Sequence, residues 1–563
     1  MRREASVVNK KVCSFPILFA LLALLIGTCA VVFPASAQAA PSATGSITVS
    51  GTVARSYDAY QIFSANVVDG DSDAKIATDL AWASDAVRDA ALPVLHSAGM
   101  PNSQTTAQEA AEWLNTDSHL TSALSAQLAR SLQSSGAEPV ALNAGTTAEL
   151  PCGYWLIVAK DDAIAQGEAG TAPIMALVGG SAVTVKPKAA TPKVAKHVLE
   201  DSTAAWQKAA DATVADDLYW RLSATVPAGL TAYDAYTVQF VDTMGAGLDP
   251  SKVAASMRVY AAAGADGGFG AVQTDKDGRA GTEPAKGWTD ITAQCATKVA
   301  ADGKTFTVRT GDLIAALGGA DAFTAGARVV AVYNAPLNSA CNHGIAKGNP
   351  NEVYLRYPRS PFADQSGDAG FTSTPSDDAC AYTWDLALTK RGSDGDKPLA
   401  GAVLSIADDR GRTLAADGTW DAQGKAIVTT GEDGRVTVSG VDSGKLEVRE
   451  LKAPKGYTAF EGTRSVTVKA EGLDVDQVAA AKPKLTITAE SPLRADSADG
   501  STGSLEASLI NTPTGTPPSI TTGGFMPSTG DMAMYAAAAA AVAGAALIVV
   551  ALLVKRGGGS HKE

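Results

Sequence analysis

The chain is poor in the side chains from which most catalytic and metal sites are built. Its 563 residues include five histidines and six cysteines, and Cys13 and Cys29 fall in the N-terminal segment 1–39, which reads as a signal. The remaining Cys152, Cys295, Cys341 and Cys380 are too scattered for a zinc set. Hydroxyls and carboxylates are plentiful, but none forms a recognisable nucleophile-base pair. Neither an enzyme nor a bound metal or cofactor is therefore expected. Asp275-Lys276-Asp277-Gly278-Arg279 opens like a calcium loop but lacks the further oxygen ligands and the closing Glu, and reads as a turn. Basic clusters are missing as well. A net charge of -13 without a cationic footprint excludes nucleic acid as the expected partner.

Long apolar runs are confined to the two ends. Phe15 to Phe33 follows Arg2, Arg3, Lys10 and Lys11 and precedes the small residues Ala35-Ser36-Ala37-Gln38-Ala39, so residues 1–39 read as a secretory signal. Met532 to Leu553 is long enough, at roughly 1.5 Å per residue, to cross a hydrocarbon core of about 30 Å. Lys555 and Arg556 after it favour the cytoplasmic side, which places the rest of the mature chain outside the cell. Disulfides persist there. Cys295 and Cys341 fall in one expected domain and are read as a pair, whereas Cys152 and Cys380 read as free buried thiols.

Met526-Pro527-Ser528-Thr529-Gly530 stands just before the apolar helix. With that helix and the basic tail, residues 526–563 resemble the cell-wall sorting signal of Gram-positive surface proteins, usually Leu-Pro-any-Thr-Gly. The resemblance implies that a sortase cuts between Thr529 and Gly530 and passes the Thr529 carbonyl to an amine. Met526 replaces the usual leucine with an apolar side chain of similar size.

The intervening length suits about three domains. In residues 40–188, Ser46-Ile47-Thr48-Val49-Ser50, Gly153 to Val158 and Met175 to Val178 carry strand patterns. Thr106 to Leu132, with Leu120, Leu124 and Leu128 four apart, predicts a helical insertion. The segment ends in Val183-Thr184-Val185-Lys186-Pro187-Lys188, which resembles the pilin motif of sortase-assembled fimbrial shaft proteins, Val-any-Val-Tyr-Pro-Lys. Lys186 stands where that motif has tyrosine, and the usual upstream tryptophan is absent. The resemblance implies that the Lys188 amine receives Thr529 of the next subunit. Lys186, Lys193 and Lys196 remain alternatives. The near-match Tyr357-Pro358-Arg359 is rejected because arginine stays protonated.

In residues 189–364, three strand patterns put polar side chains on the apolar face. Val194, Lys196 and Val198 share a parity, as do Val238, Phe240 and Asp242, and Asn351, Val353, Leu355 and Tyr357. Lone buried charges are very costly, so the three polar groups should meet. Burial lowers a lysine pKa and raises a carboxylic acid pKa, so a neutral Lys196 amine can attack the Asn351 carboxamide while Asp242 relays the proton to departing ammonia. The expected product is a Lys196–Asn351 isopeptide. Asn349, of the same parity, is the alternative partner. Trp206, Tyr233 and Tyr236, Phe240-Val241-Asp242-Thr243 and Asn349 to Tyr357 resemble the isopeptide-forming middle domain of fimbrial shaft subunits, in which such a lysine and asparagine are joined.

The trio recurs in residues 378–513. Leu386, Leu388 and Lys390, then Leu446, Val448 and Glu450, then Leu505, Ala507, Leu509 and Asn511 each share a parity. A Lys390–Asn511 isopeptide with Glu450 as proton-relaying acid is expected. Leu388-Thr389-Lys390, Pro398 to Ala402, Leu446 to Glu450 and Ala453-Pro454-Lys455-Gly456-Tyr457 resemble the collagen-adhesin B-type domain, which implies a small β-sandwich. Residues 365–377 read as a linker and 514–525 as a Pro-, Gly- and Thr-rich tether.

The expected fold is mostly β: tandem immunoglobulin-like β-sandwich domains, the first with a helical insertion. The resemblances imply a fimbrial shaft subunit, secreted, transiently held in the membrane and then covalently attached to the cell wall. The implied partners are a class C-type pilin sortase and a housekeeping sortase, other copies of the chain and peptidoglycan, with minor pilins and host surface ligands left open. A monomeric wall-anchored adhesin or fimbrial tip is the alternative, and a cell-surface enzyme the second.

Overall fold

The structure, a computed structural model, describes residues 43–515 apart from 52, 72–73, 117, 188–190, 265–271, 275–279 and 285. The signal 1–39, Lys188, the acidic turn at 275–279, the sorting motif and the apolar run 532–553 lie outside the described residues. Among the described residues no helix is long and apolar enough to cross a membrane.

Strands dominate, as alternating burial along them requires. The N-terminal part has a five-stranded sheet centred on Ser56–Asp69 and Gly153–Ala159, and a three-stranded sheet in which Thr44–Val49 lies between Thr147–Pro151 and Val183–Val185. Three helices, Asp85–Ser97, Ala107–Asn115 and Ser122–Ser134, cover Tyr60, Ile62, Phe63, Leu156 and Val158 of the larger sheet. The helical insertion expected over Thr106 to Leu132 is made of two of these helices. Thr106 and Glu109 form a capping box at the first, Ser118 takes a left-handed backbone (φ 58°), and the Thr121 side chain caps the second. Asp85–Ser97, capped by Ser84, carries no leucine repeat of the kind that marks Leu124 and Leu128.

The middle part is a sandwich. One sheet runs Ala205–Gln207, Val194–Glu200, Tyr219–Thr225, Arg328–Asn334, Arg258–Ala262, Thr289–Asp290. The facing sheet runs Ala209–Asp211, Asp377–Tyr382, Asn349–Pro358, Gln239–Met244, Thr305–Arg309, Ala296–Val299. Trp220, Phe240, Phe306, Tyr333 and Leu355 fill the space between them. The stretch expected as a linker, 365–377, is hydrogen-bonded here: Phe371–Ser373 pairs with Arg356 to Pro358, and Asp377 begins the strand beside Asn351. Its Ser and Gly content reads as loop, but Phe371 and Thr372 are buried by that pairing.

In the last part, Trp384–Gly392 lies between Arg435–Val441 and Ser504–Pro513, facing a sheet whose central strands are Val403–Ala407, Gly444–Lys452 and Thr463–Glu471. Trp384–Gly392 and Ser504–Pro513 are adjacent and parallel. The joint to the middle part combines apolar packing of Ala209, Cys380 and Tyr382 against the last core with polar contacts. Asp211 accepts hydrogen bonds from the Trp384 indole (2.6 Å), Ser443 N (3.0 Å) and the Ser443 hydroxyl, and Arg412 grips both oxygens of Asp216.

Candidate functional site: two buried lysine-acid-asparagine clusters

In the middle sandwich, Lys196 hangs from one sheet into the core, and Asp242 and Asn351 come from neighbouring strands of the facing sheet, where Met244 is opposite Asn351. All three are fully buried. The Lys196 ammonium donates to Asp242 Oδ2 in a short contact and to the Tyr333 hydroxyl at 3.0 Å, with the Trp220 ring 5.6 Å away. Asn351 Nδ2 donates to the same hydroxyl at 2.8 Å. Burial pulls Lys196 down to about 8, against the pull of Asp242, and burial raises Asp242. Both shifts favour an uncharged amine beside an uncharged acid.

Tyr333 was not singled out in the sequence. It lies in the strand Arg328–Asn334 with the parity of Val329 and Ala331, so a phenol on an inward position was the available signal. Asn349 is committed elsewhere: its Oδ1 accepts from Asn342 N (2.8 Å), and its Nδ2 donates to the carbonyls of Asn342 (2.9 Å) and Ala381 (3.2 Å). Asn349→Ala should therefore leave any Lys196 cross-link intact, whereas Asn351→Ala should abolish it. Intact mass, read as presence or loss of about 17 Da of ammonia, separates the two outcomes.

The second cluster has the same residue types in a different frame. Lys390 and Asn511 sit on adjacent parallel strands, Lys390 opposite Leu509 and Gly392 opposite Asn511, and Glu450 reaches in from the facing sheet. Asn511 Nδ2 donates to both Glu450 oxygens, at 2.9 and 3.1 Å. Lys390 Nζ lies 3.5 Å from Glu450 Oε1 and donates to the Leu509 carbonyl at 3.2 Å. Phe460 N donates to Glu450 Oε2 at 3.1 Å. Burial lowers Lys390 to about 8, opposed by Glu450.

The expected Cys295–Cys341 disulfide is not formed, and all four described cysteines are free. Cys295 precedes an edge strand and its thiol donates to the Ile291 carbonyl (3.2 Å), whereas Cys341 lies in the loop after Arg328–Asn334 with its sulfur 3.6 Å from His343 Nε2. Sharing a core does not make two thiols face each other. Of the lysines considered for joining subunits, Lys196 is sealed from any external enzyme, while Lys186 and Lys193 are exposed. The strand Val183–Val185 is held beside Ile47–Val49, and Ser50 N donates to the Val185 carbonyl (2.8 Å), so the chain is anchored as far as Val185.

These features define a class: a multi-sandwich β protein whose modules bury a lysine, an acid and an asparagine together. A family profile described as "SpaA: Prealbumin-like fold domain" matches residues 385–482. The chain is 31% identical over 143 residues to the trypsin-resistant surface T6 protein of Streptococcus pyogenes serotype M6, an alignment covering 24% of this chain and 24% of that protein. The solved T6 backbone pilin of serotype M6 S. pyogenes overlaps 85% of this chain and 100% of its own, with TM-score 0.45 and 17% identity. The full-length major pilin SpaD of Corynebacterium diphtheriae overlaps 84% and 98%, with TM-score 0.41 and 13% identity. The chain thus resembles Gram-positive pilin backbone subunits. The aligned region spans about a quarter of the length of the curated relative.

Proposed function

We propose that the chain is a structural subunit of a covalent surface fimbria, stiffened by Lys196–Asn351 and Lys390–Asn511 isopeptide bonds and polymerised through Thr529 of one copy and Lys188 of another. The two buried clusters carry this reading. A load-bearing β protein gains nothing from burying a free ammonium twice, because the desolvation cost is several kcal/mol per ion unless the charge is removed. Amide formation removes it. The Lys390 bond would tie the first strand of one sandwich to its last, which lies parallel beside it, so that the strands through which tension enters and leaves are joined directly.

A pilin-type sortase supplies the activated Thr529 acyl group and a housekeeping sortase the final transfer to peptidoglycan, so the chain serves as a substrate and its own acids act once. Lys188→Arg tests the polymer. The expected result is loss of the high-mass ladder from the denatured cell-wall fraction, with single subunits still wall-attached through Thr529. A persisting ladder would move the linkage to another lysine, Lys186 and Lys193 first. Absence of a ladder from the wild type would favour a monomeric adhesin.

A further inference from the structure

In the last sandwich the acid touches the departing nitrogen directly, whereas in the middle one it does not. Glu450 receives both hydrogen bonds from Asn511 Nδ2. Asp242, one methylene shorter, has no described hydrogen bond to Asn351; the Tyr333 hydroxyl stands between them, 3.1 Å from Asp242 Oδ2 and 2.8 Å from Asn351 Nδ2. A phenol has one proton to donate and two lone pairs. Here all three are used: it donates to Asp242 and accepts from Lys196 and Asn351. Packing does not require that hydroxyl, since the ring meets Phe306 edge-on at 4.8 Å and a phenylalanine would do the same. The arrangement also leaves Asn351 Oδ1 and Asp242 Oδ1 buried without hydrogen-bond partners. A proton on Asp242 Oδ1 turns one of these two acceptors into a donor.

We propose that Tyr333 is a catalytic residue of the Lys196–Asn351 condensation, orienting the carboxamide and carrying the proton from Asp242 to the departing nitrogen. The proposal rests on the reading that this bond forms. The uncharged Lys196 amine attacks Asn351 Cγ: the Cγ–Nζ bond forms as the carbonyl π pair moves onto Oδ1, and that pair re-forms the C=O bond when the leaving group departs. The Tyr333 O–H passes its proton to Nδ2 and is refilled from the Asp242 acid, while Asp242 takes a proton from Nζ. The Cγ–Nδ2 bond then breaks with its electron pair on nitrogen, and ammonia leaves. One proton has moved from Nζ to Nδ2, and Asp242 and Tyr333 return to their starting states.

The test follows cross-linking over time in full-length chain made by cell-free synthesis, by mass spectrometry of the peptides carrying residues 196, 351, 390 and 511. Tyr333→Phe is expected to slow the Lys196–Asn351 bond by about 100-fold or more, the range for removing a general acid-base group, and to leave Lys390–Asn511 at the wild-type rate. Tyr333→Phe combined with Asp242→Glu is expected to recover linking, because the longer acid reaches Nδ2 as Glu450 does. A purely structural role for the phenol predicts no such rescue. Wild-type rates in Tyr333→Phe, or a double variant as slow as the single one, would overturn the role of Tyr333. A wild-type chain with Lys196 and Asn351 unlinked would overturn the underlying reading instead.

Discussion

Glu450→Ala is expected to yield a chain about 17 Da heavier than the substitution alone explains, with the region from Trp384 to Pro513 digested by trypsin under conditions that leave the wild type whole. Two losses combine. Without the acid there is no relay, so Lys390 and Asn511 stay unlinked, and a closure spanning about 120 residues, worth roughly 4–5 kcal/mol on the chain-entropy account, disappears. The unreacted Lys390 ammonium then sits in a core where its side chain is 0% exposed and its acidic partner Glu450 is gone. Breaking a buried pair from one side costs about 3–5 kcal/mol. Together these rival the whole stability of a domain, about 5–15 kcal/mol. Lys390→Met separates the two terms, because it loses the link but leaves Glu450 with hydrogen bonds from Asn511 Nδ2 and Phe460 N, whereas Glu450→Ala leaves an ammonium without its acid. It should be more stable than Glu450→Ala by several kcal/mol in denaturant unfolding, on the same order as the buried-pair penalty. A Glu450→Ala chain that still loses ammonia and resists trypsin would remove Glu450 from the chemistry.

The second large effect is alkaline and concerns Lys196. In Asn351→Ala the amine has no carbonyl to attack and remains titratable, whereas the proposed linkage would make Nζ of the wild type an amide nitrogen that does not titrate. The folded-state pKa is lowered to about 8 by burial, below the ordinary value of 10.5 that applies when unfolded. Between those values the unfolded chain binds a proton that the folded chain does not, so stability rises with pH across that window. Below about pH 8 both states carry the proton and the full penalty of a buried ammonium is felt. The stability gap between wild type and Asn351→Ala should therefore narrow by about 3 kcal/mol from pH 8 to 10.5, at 1.36 kcal/mol per unit. Urea unfolding at several pH values measures it. A gap that stays constant over that range would mean Lys196 is not held as a buried free amine in the unlinked chain.

The inward placement of Lys196, Asp242, Asn351, Lys390, Glu450 and Asn511 was legible from parity alone, because a strand has a period of two and each polar residue sat among apolar neighbours of the same parity. Tyr333 was not, since an inward tyrosine is ordinary core until the atoms facing its hydroxyl are known. Asn349 and Asn351 share a parity and a strand, yet backbone groups from Asn342 and Ala381 engage the first and the phenol engages the second. The Cys295–Cys341 pairing failed for the same kind of reason: spacing says nothing about which way two thiols point. Residues 365–377 were misread because composition reports propensity, and Phe371 and Thr372 are ordered by a partner strand.

The linear order of residues, by itself, determined that this is a mostly β protein with buried lysine, acid and asparagine triplets, because strand periodicity and the cost of burying charge are local. Only the tertiary structure decided which asparagine shares the Tyr333 hydroxyl with the amine, that Asp242 reaches that asparagine through the phenol whereas Glu450 touches Asn511 directly, and that Asp211 and Asp216 close the joint between the last two sandwiches. Those outcomes depend on distances of a few ångströms between side chains far apart in the chain, which strand parity leaves undetermined.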